Sequence, residues 1–197
     1  NLSLIENLKS IEIIKINSNK IRKLDENFFI KGTVLTELHL QSNLISFIDK
    51  YTFLNTKLLL ELDLSDNLLC DLDALTFNSL SKLERLNLSH NLIRLIDKNL
   101  LNNLNSLIVL DLSHNKIYSI EEYSFSNLNL LEELNIQFNS KFKRISSNKI
   151  FFGMRMIKKI YASLDLFRDN FENIKNLREA IFTRFFSTRP GLLHRLT

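Results

Sequence analysis

Apolar residues recur along the chain in the pattern LxxLxLxxN, in which most of the intervening positions are polar. The clearest copies contain the hexapeptides LDLSDN, LNLSHN and LDLSHN, which begin at Leu62, Leu86 and Leu110 and so repeat every 24 residues. Alternation of apolar and polar residues over LxLxx predicts a short strand with one buried face. The constant period predicts a stack of similar coils rather than a site that is built once.

An asparagine closes each copy of the pattern. Its side-chain amide can hydrogen-bond to unpaired backbone groups inside a turn. The chain contains only three glycines and one proline, so asparagine is the expected turn former. We expect these asparagines to lie one above another as a structural ladder. The ladder positions are Asn19, Asn43, Asn67, Asn91, Asn115 and Asn139.

A second apolar set follows each asparagine and includes a phenylalanine ten residues after it. Phe29, Phe53, Phe77 and Phe125 occupy this position, and Leu101 takes it in the fourth copy, which predicts an aromatic spine. Burying about seven apolar side chains contributes on the order of 10–20 kcal/mol per copy. Ordering the backbone costs about 1–2 kcal/mol per residue, so one copy cannot fold without its neighbours.

The complete unit, LxxLxLxxNxIxxIxxxxFxxLxx, resembles the leucine-rich repeat family. Its 24-residue form with the phenylalanine is similar to the subclass found in ectodomains of Toll-type receptors and leucine-rich-repeat G-protein-coupled receptors. The resemblance covers about residues 4–164. It implies an α/β-type repeat, a leucine-rich-repeat solenoid or horseshoe, with a parallel β-sheet of short strands on the concave side. The convex side is then irregular or 3-10 helical.

The ends of the repeat region are less regular. We expect a solenoid of about seven repeats over residues 1–165, the first one partial, followed by residues 166–197 as a degenerate repeat or a C-terminal cap with a basic tail. An amphipathic helix is one alternative for the cap. After Asn139 the pattern returns two residues late, which predicts a small bulge in 140–150. The partial first repeat and the lack of cysteine-rich flanks favour a fragment of a longer protein.

Charge is divided unevenly between the two parts of the chain. Residues 1–139 hold 13 Lys and Arg against 18 Asp and Glu, a net −5, whereas residues 140–197 hold 13 against 4, a net +9. We interpret the basic part as a solvated flank, since it carries no nucleic-acid-binding motif. Contact with nucleic acid or with a membrane surface is the alternative. Nucleophile elbows, HExxH motifs and phosphate-binding glycine loops do not occur, so we expect no enzyme.

Polar residues between the strand leucines are expected to face outward from the concave side, where a ligand would bind. Acidic residues are frequent among them, which favours a basic protein or peptide as partner. A solvated strand surface with no partner is the alternative. The candidate partner-binding residues are Glu37, His39, Glu61, Asp63, Arg85, Asn87, Asp111, Glu133 and Tyr161. A further column that we also expect to face outward is formed by Asn17, Gln41, Ser65, Ser89, Ser113, Gln137 and Ser163.

Three further features have both a functional and a plain structural interpretation. Asp66, His90 and His114 share one repeat position, which resembles a row of metal ligands, but stacked repeats align such residues automatically, so we expect no metal. The sequons at Asn1 and Asn87 are candidate glycosylation sites. Cys70 is expected to be a small residue at the core boundary, with a reactive thiol as the weaker alternative.

The resemblance and the acidic strands together define the expected function. We expect a recognition module without cofactor, in an extracellular or plasma-membrane ectodomain of an animal receptor or in a secreted binder. Its partner is a protein or peptide, with no nucleic acid and no small-molecule substrate, and it meets a membrane only through segments outside this chain. The alternatives are an intracellular scaffold for a signalling protein and a zinc-dependent enzyme on a solenoid.

Overall fold

The structure is a computed structural model that describes residues 10–29, 34–139 and 148–163, together with the backbone of 179–183. Twelve short strands follow one another along these residues. They are β1 Ile13–Lys15, β2 Lys23–Leu24, β3 Glu37–His39, β4 Phe47–Ile48, β5 Glu61–Asp63, β6 Arg85–Asn87, β7 Leu95–Ile96, β8 Val109–Asp111, β9 Ser119–Ile120, β10 Glu133–Asn135, β11 Lys159–Ser163 and β12 Glu179–Thr183.

The concave side is a single parallel sheet with the order β1-β3-β5-β6-β8-β10-β11-β12. Its register advances by one repeat per strand, since Glu61 pairs with Glu37 on one side and with Arg85 on the other. Each coil therefore places the same repeat position beside its counterpart in the next coil. The solenoid and the parallel concave sheet expected from the sequence are confirmed.

The register also confirms the two-residue slip after the sixth repeat. Glu133 of β10 pairs with Lys159 of β11, which is two residues beyond the regular interval. The predicted bulge falls within 140–150, of which residues 140–147 lie outside the described residues. Because β11 still pairs in parallel with β10, the slip is absorbed outside the sheet.

The sheet continues past the seventh strand into β12. Ile160 pairs with Ala180, and Ala162 pairs with Phe182. This placement agrees with a degenerate eighth repeat, so a helical cap is wrong for 179–183. The rest of the predicted cap and tail lies outside the described residues.

The core lies between the concave sheet and the convex side. The leucine at the centre of β3, β5, β6, β8 and β10 is buried, as is Ile160, the equivalent residue in β11, as the alternating pattern requires. The predicted aromatic spine is also present, with ring centroids of Phe29 and Phe53 6.3 Å apart and those of Phe53 and Phe77 6.1 Å apart. Leu101 is buried in the fourth coil, and the rings of Phe125 and Phe151 continue the row 6.5 Å apart.

The convex side is built from tight turns, two short two-stranded ladders and a 3-10 helix at Asn148–Phe151. Aspartates initiate the turns, because the carboxylate of each accepts a hydrogen bond from the backbone N–H two residues later. These aspartates are Asp25, Asp49, Asp73 and Asp97. Short strands and this irregular 3-10 convex side match the expected repeat class.

The third coil interrupts the convex ladders. β2 pairs with β4, and β7 pairs with β9, whereas the segment between them, residues 70–73, forms no strand with either neighbour. Two further observations coincide with the gap: Leu72 is only partly buried, and the buried Oγ1 of Thr76 has no hydrogen-bond partner in the structure. Coils two and four therefore each leave one convex strand edge unpaired on the side that faces coil three.

Candidate functional site on the concave sheet

The register brings the predicted partner-binding residues into two neighbouring columns. One column runs through Glu37, Glu61, Arg85, Val109, Glu133 and Lys159, and the other through His39, Asp63, Asn87, Asp111, Asn135 and Tyr161. Most of these side chains are half-buried, while Arg85 and Lys159 are exposed. All nine predicted residues therefore lie on one face of one sheet.

Two glutamates stand side by side on this face. Glu37 and Glu61 are direct neighbours on the parallel strands β3 and β5. The Nε2 atom of His39 lies 3.4 Å from Oε2 of Glu37. Within the described part of the chain, Glu61, Asp63 and Glu133 take part in no ion pair within 4.0 Å. The two columns therefore present three carboxylates, those of Glu61, Asp63 and Glu133, that form no ion pair with a basic side chain of the described residues.

Asp63 and its counterparts in the second column also shape the end of each strand. Oδ1 of Asp63 accepts hydrogen bonds from the backbone N–H of Ser65 at 2.9 Å and from its hydroxyl at 2.6 Å. Asn87 does the same with Ser89 at 3.0 and 2.8 Å. Each side chain thereby forms an Asx turn, so one of its two polar groups is already engaged.

Asp111 is engaged more fully than the other predicted binding residues. Its Oδ1 accepts the N–H of Ser113 at 2.8 Å, and its Oδ2 accepts a hydrogen bond from Nδ2 of Asn135 at 3.0 Å. A ligand would have to share or replace these bonds. The sequence does carry a signal for this, since Asp-x-Ser favours an Asx turn wherever a strand ends.

Most of the third column does not face outward as expected. Ser89, Ser113, Gln137 and Ser163 are buried, Gln41 and Ser65 are half-buried, and Asn17 is exposed. The reason is that the chain already turns inward at this position, so that the backbone carbonyls of Ser65 and Ser89 accept hydrogen bonds from the neighbouring asparagine and coil. The expectation that these residues present polar groups to a ligand is wrong for the buried ones.

The asparagine positions form a bonded stack under the rim of the concave face. In Asn67, Nδ2 donates to the carbonyls of Leu64 and Ser65 in its own coil and to that of Leu40 in the preceding coil, at 3.0–3.1 Å. Asn43, Asn91, Asn115 and Asn139 repeat this arrangement. Asn19 bonds only within its own coil and is exposed. The ladder residues are therefore structural and hold the candidate binding face in place.

Asp66, His90 and His114 occupy left-handed backbone conformations at one edge of the sheet, with φ of 52–54°. The rings of His90 and His114 are stacked with centroids 4.1 Å apart, and Phe138 stacks on His114 at 4.3 Å. Partial burial and the neighbouring His90 lower the pKa of His114, which Asp111 opposes. No group of three or more metal-binding side chains occurs among the described residues. The rings of His90, His114 and Phe138 therefore form a stacked row along this edge of the sheet.

The remaining candidates are placed as follows. Asn87 lies half-buried at the centre of the concave face, with Oδ1 engaged by Ser89. Asn1, the other candidate glycosylation residue, lies outside the described residues. Cys70 is a half-buried free thiol, and burial, together with the adjacent Asp71, raises its pKa. A raised pKa leaves less thiolate at neutral pH, which disfavours a reactive role.

The part of the chain that the structure describes contains no helix with the length and apolar character needed to cross a membrane.

The repeat geometry defines the class of protein: a leucine-rich-repeat solenoid with a polar concave sheet. The family model for the leucine-rich repeat matches residues 33–93 and 83–140, which together are more than half of the chain. The chain therefore belongs to the leucine-rich repeat family. A comparison with curated protein sequences finds no match.

Solved structures with the same fold include Toll-type ectodomains. The glycosylated form of the Toll–Spatzle complex of Drosophila matches over 91% of this chain, with 24% identity and a TM-score of 0.71. The complex of TLR13 with ssRNA13 matches over 91%, with 22% identity and a TM-score of 0.65. This chain spans 23% and 30% of those chains, respectively. The likeness shows the fold, and the chain resembles part of a Toll-type receptor ectodomain.

Proposed function

We propose that the concave sheet recognises a basic protein or peptide and that the chain carries out no chemistry of its own. The observation that carries the proposal is the lateral pairing of Glu37 with Glu61 on adjacent strands. Like charges placed side by side on a sheet are destabilising. A basic side chain from a partner would relieve that repulsion, so the face is better suited to a cationic ligand than to water alone.

The geometry of the face supports recognition rather than simple solvation. The carboxylates project from a sheet whose strands are fixed by the asparagine stack, so little conformational freedom is lost on binding. The face carries more acidic than basic side chains, with Arg85 and Lys159 as the basic members of its first column, and an excess of acid on a rigid face accelerates the approach of a cationic ligand. The same carboxylates repel phosphate, which favours a protein partner over a nucleic acid on this face.

We infer that the chain works as part of a receptor ectodomain or a secreted binder, with residues 1–165 as the solenoid and residues 166–197 as its end. Support comes from the 24-residue repeat with its phenylalanine and from the similarity to Toll-type structures, one of which is a complex with the protein Spatzle. An intracellular scaffold that holds a signalling protein on the same face is the alternative. An N-linked glycan on Asn87 separates the two.

The binding proposal is tested with a polyarginine peptide as the probe and isothermal titration calorimetry at physiological salt. Glu61→Lys should weaken binding about tenfold, because it replaces one carboxylate of the acidic pair with a positive charge that repels the basic ligand. Glu26→Lys is the matched control: it makes the same change in net charge at an exposed position on the convex turn. If both variants weaken binding equally, the attraction is a property of net charge and the concave site is wrong.

A further inference from the structure

A row of exposed leucines runs along the flank of the solenoid, on the side where each concave strand turns towards the convex surface. Leu44, Leu68 and Leu92 follow the ladder asparagines of three successive coils and are 37%, 43% and 39% exposed. We call these three residues the leucine stripe. Neighbouring coils lie about 4.8 Å apart, so the stripe is about 10 Å long. Its residues do not belong to the concave face.

Basic residues stand at both ends of the stripe. Lys20 occupies the same repeat position one coil before Leu44, and Lys116 occupies it one coil after Leu92. Arg22 and Arg94 lie two residues further along the first and fourth coils. All four are exposed, and none forms an ion pair with another described residue. The flank therefore has an apolar centre between two positive ends, bordered near the middle by Asp66 and Asp71.

The backbone beneath the stripe is rigid. The N–H groups of Leu44, Leu68 and Leu92 donate to carbonyls of the preceding coil at 2.8–2.9 Å. The next residue in the coils of Leu44 and Leu68 donates its N–H to a ladder asparagine, as Ile45 does to Oδ1 of Asn67 at 2.9 Å. A surface that is already ordered loses little entropy when a partner docks. The stripe is therefore a built surface rather than a mobile loop.

We propose that the leucine stripe binds an amphipathic helix whose two ends are acidic. A helix rises about 1.5 Å per residue, so apolar side chains at positions i, i+4 and i+7 span about 10 Å and match the three leucines. The distance from Lys20 to Lys116 is about four coil spacings, or roughly 19 Å, which corresponds to acidic residues about 13 positions apart. Because the apolar centre lies between two positive ends, the surface favours a helix with acidic ends over a helix with basic ends.

A second copy of this chain fits the stripe less well. In a two-fold arrangement centred on Leu68, the coil of Lys20 would face the coil of Lys116 in the other copy. Both ends would then bring positive charges together. Charge complementarity thus favours a different molecule with negative ends.

The test uses a fluorescein-labelled synthetic helix with a leucine stripe and glutamates at both ends, and it measures fluorescence anisotropy with the full chain. A second peptide carries lysines in place of the glutamates, and a third has the first composition in scrambled order. The glutamate peptide should bind, while the lysine peptide should bind at least about tenfold more weakly. The double variant Lys20→Glu/Lys116→Glu should remove this preference, because the two new glutamates offset Arg22 and Arg94.

Leu68→Asp tests whether the peptide binds at the leucine stripe. It should reduce the affinity for the glutamate peptide about tenfold to a hundredfold, because apolar burial is lost. The matched control is Leu54→Asp, at a 50% exposed leucine on the convex side. Glu61→Lys should leave peptide affinity unchanged, which separates this surface from the concave one. Equal binding of the scrambled peptide, or of both charge types, would overturn the proposal. So would dimerisation in sedimentation velocity that Leu68→Asp abolishes, because the stripe would then be a self-association surface.

Discussion

Oδ1 of Asn91 accepts the backbone N–H of Leu69, 22 residues earlier and one coil away, at 3.0 Å. The same side chain donates through Nδ2 to the carbonyls of Leu64, Leu88 and Ser89 at 2.9–3.1 Å. One buried amide thus ties two consecutive coils together and closes the turn of its own coil. The relationship explains why a chain with few glycines and prolines can turn sharply in every repeat.

Asn91→Ala should therefore destabilise the fold by about 2–4 kcal/mol, because it removes several hydrogen bonds and leaves the buried N–H of Leu69 without an acceptor. Asn19→Ala is the matched control. Its side chain is exposed and bonds only within the first coil, so the cost should stay below about 1 kcal/mol. Urea unfolding followed by circular dichroism measures both. Equal costs would mean that the bonds between coils contribute nothing beyond local turn closure.

A second pair of equivalent residues separates a satisfied hydroxyl from an unsatisfied one. Thr52 and Thr76 share one repeat position and are both fully buried. Oγ1 of Thr52 donates to the carbonyl of Leu24 at 3.0 Å, whereas Oγ1 of Thr76 has no hydrogen-bond partner in the structure. Thr52→Val should cost about 1 kcal/mol, while Thr76→Val should be neutral or stabilising. A loss at Thr76 as large as that at Thr52 would show that its hydroxyl is bonded in solution.

Much of this architecture is predictable because it depends on the period alone. The positions of Asn67 in the ladder and of Phe53 in the spine follow from spacing, since equal coils in parallel register must superpose equivalent residues. The unpaired hydroxyl of Thr76 is not predictable in this way. The third coil keeps the apolar spacing, yet residues 70–73 leave the convex ladder, and nothing in the repeat pattern marks that departure.

For the candidate site, the sequence predicts which residues lie on the concave face but not how their side chains are hydrogen-bonded. Register places Glu61 and Asp63 on the concave face, as alternation requires. How much of each carboxylate remains available depends on local hydrogen bonds, and Asp111 loses both oxygens to Ser113 and Asn135. Alternation also fails at Ser113, which is buried because the strand has already ended there.

Stability should fall as pH drops through the range in which His114 titrates. Its pKa in the folded protein lies below the ordinary value of 6.5, chiefly because of partial burial and the neighbouring His90. As pH falls below 6.5, the unfolded chain takes up the proton before the folded one does, so stability is complete above that pH and declines below it. His114→Phe removes the titrating group and keeps a ring between His90 and Phe138.

Between neutral and mildly acidic pH, the midpoint of urea unfolding should therefore fall less in His114→Phe than in the parent chain. An identical shift in both would assign the effect to other groups.

Asn87 should carry an N-linked glycan when the chain is made through a secretory pathway. Oδ1 of Asn87 is held by the N–H and hydroxyl of Ser89, and the structure gives its Nδ2 no hydrogen-bond partner, so the atom that would carry the sugar is available on the concave face. Asn87→Asp is the precise control, because Asp63 and Asp111 form the same turn in neighbouring positions of this column. The variant should keep the turn, with a modest loss of stability because Asp63 and Asp111 flank the new carboxylate on the neighbouring strands. It should also lose the mass shift that a glycosidase removes from the parent chain. A glycan at this position would also cover the centre of the sheet and divide the acidic face, leaving Glu37, two strands away, more accessible than Glu61 on the adjacent strand. A secreted chain that bears no sugar at Asn87 would remove this support for an extracellular role and favour the intracellular scaffold.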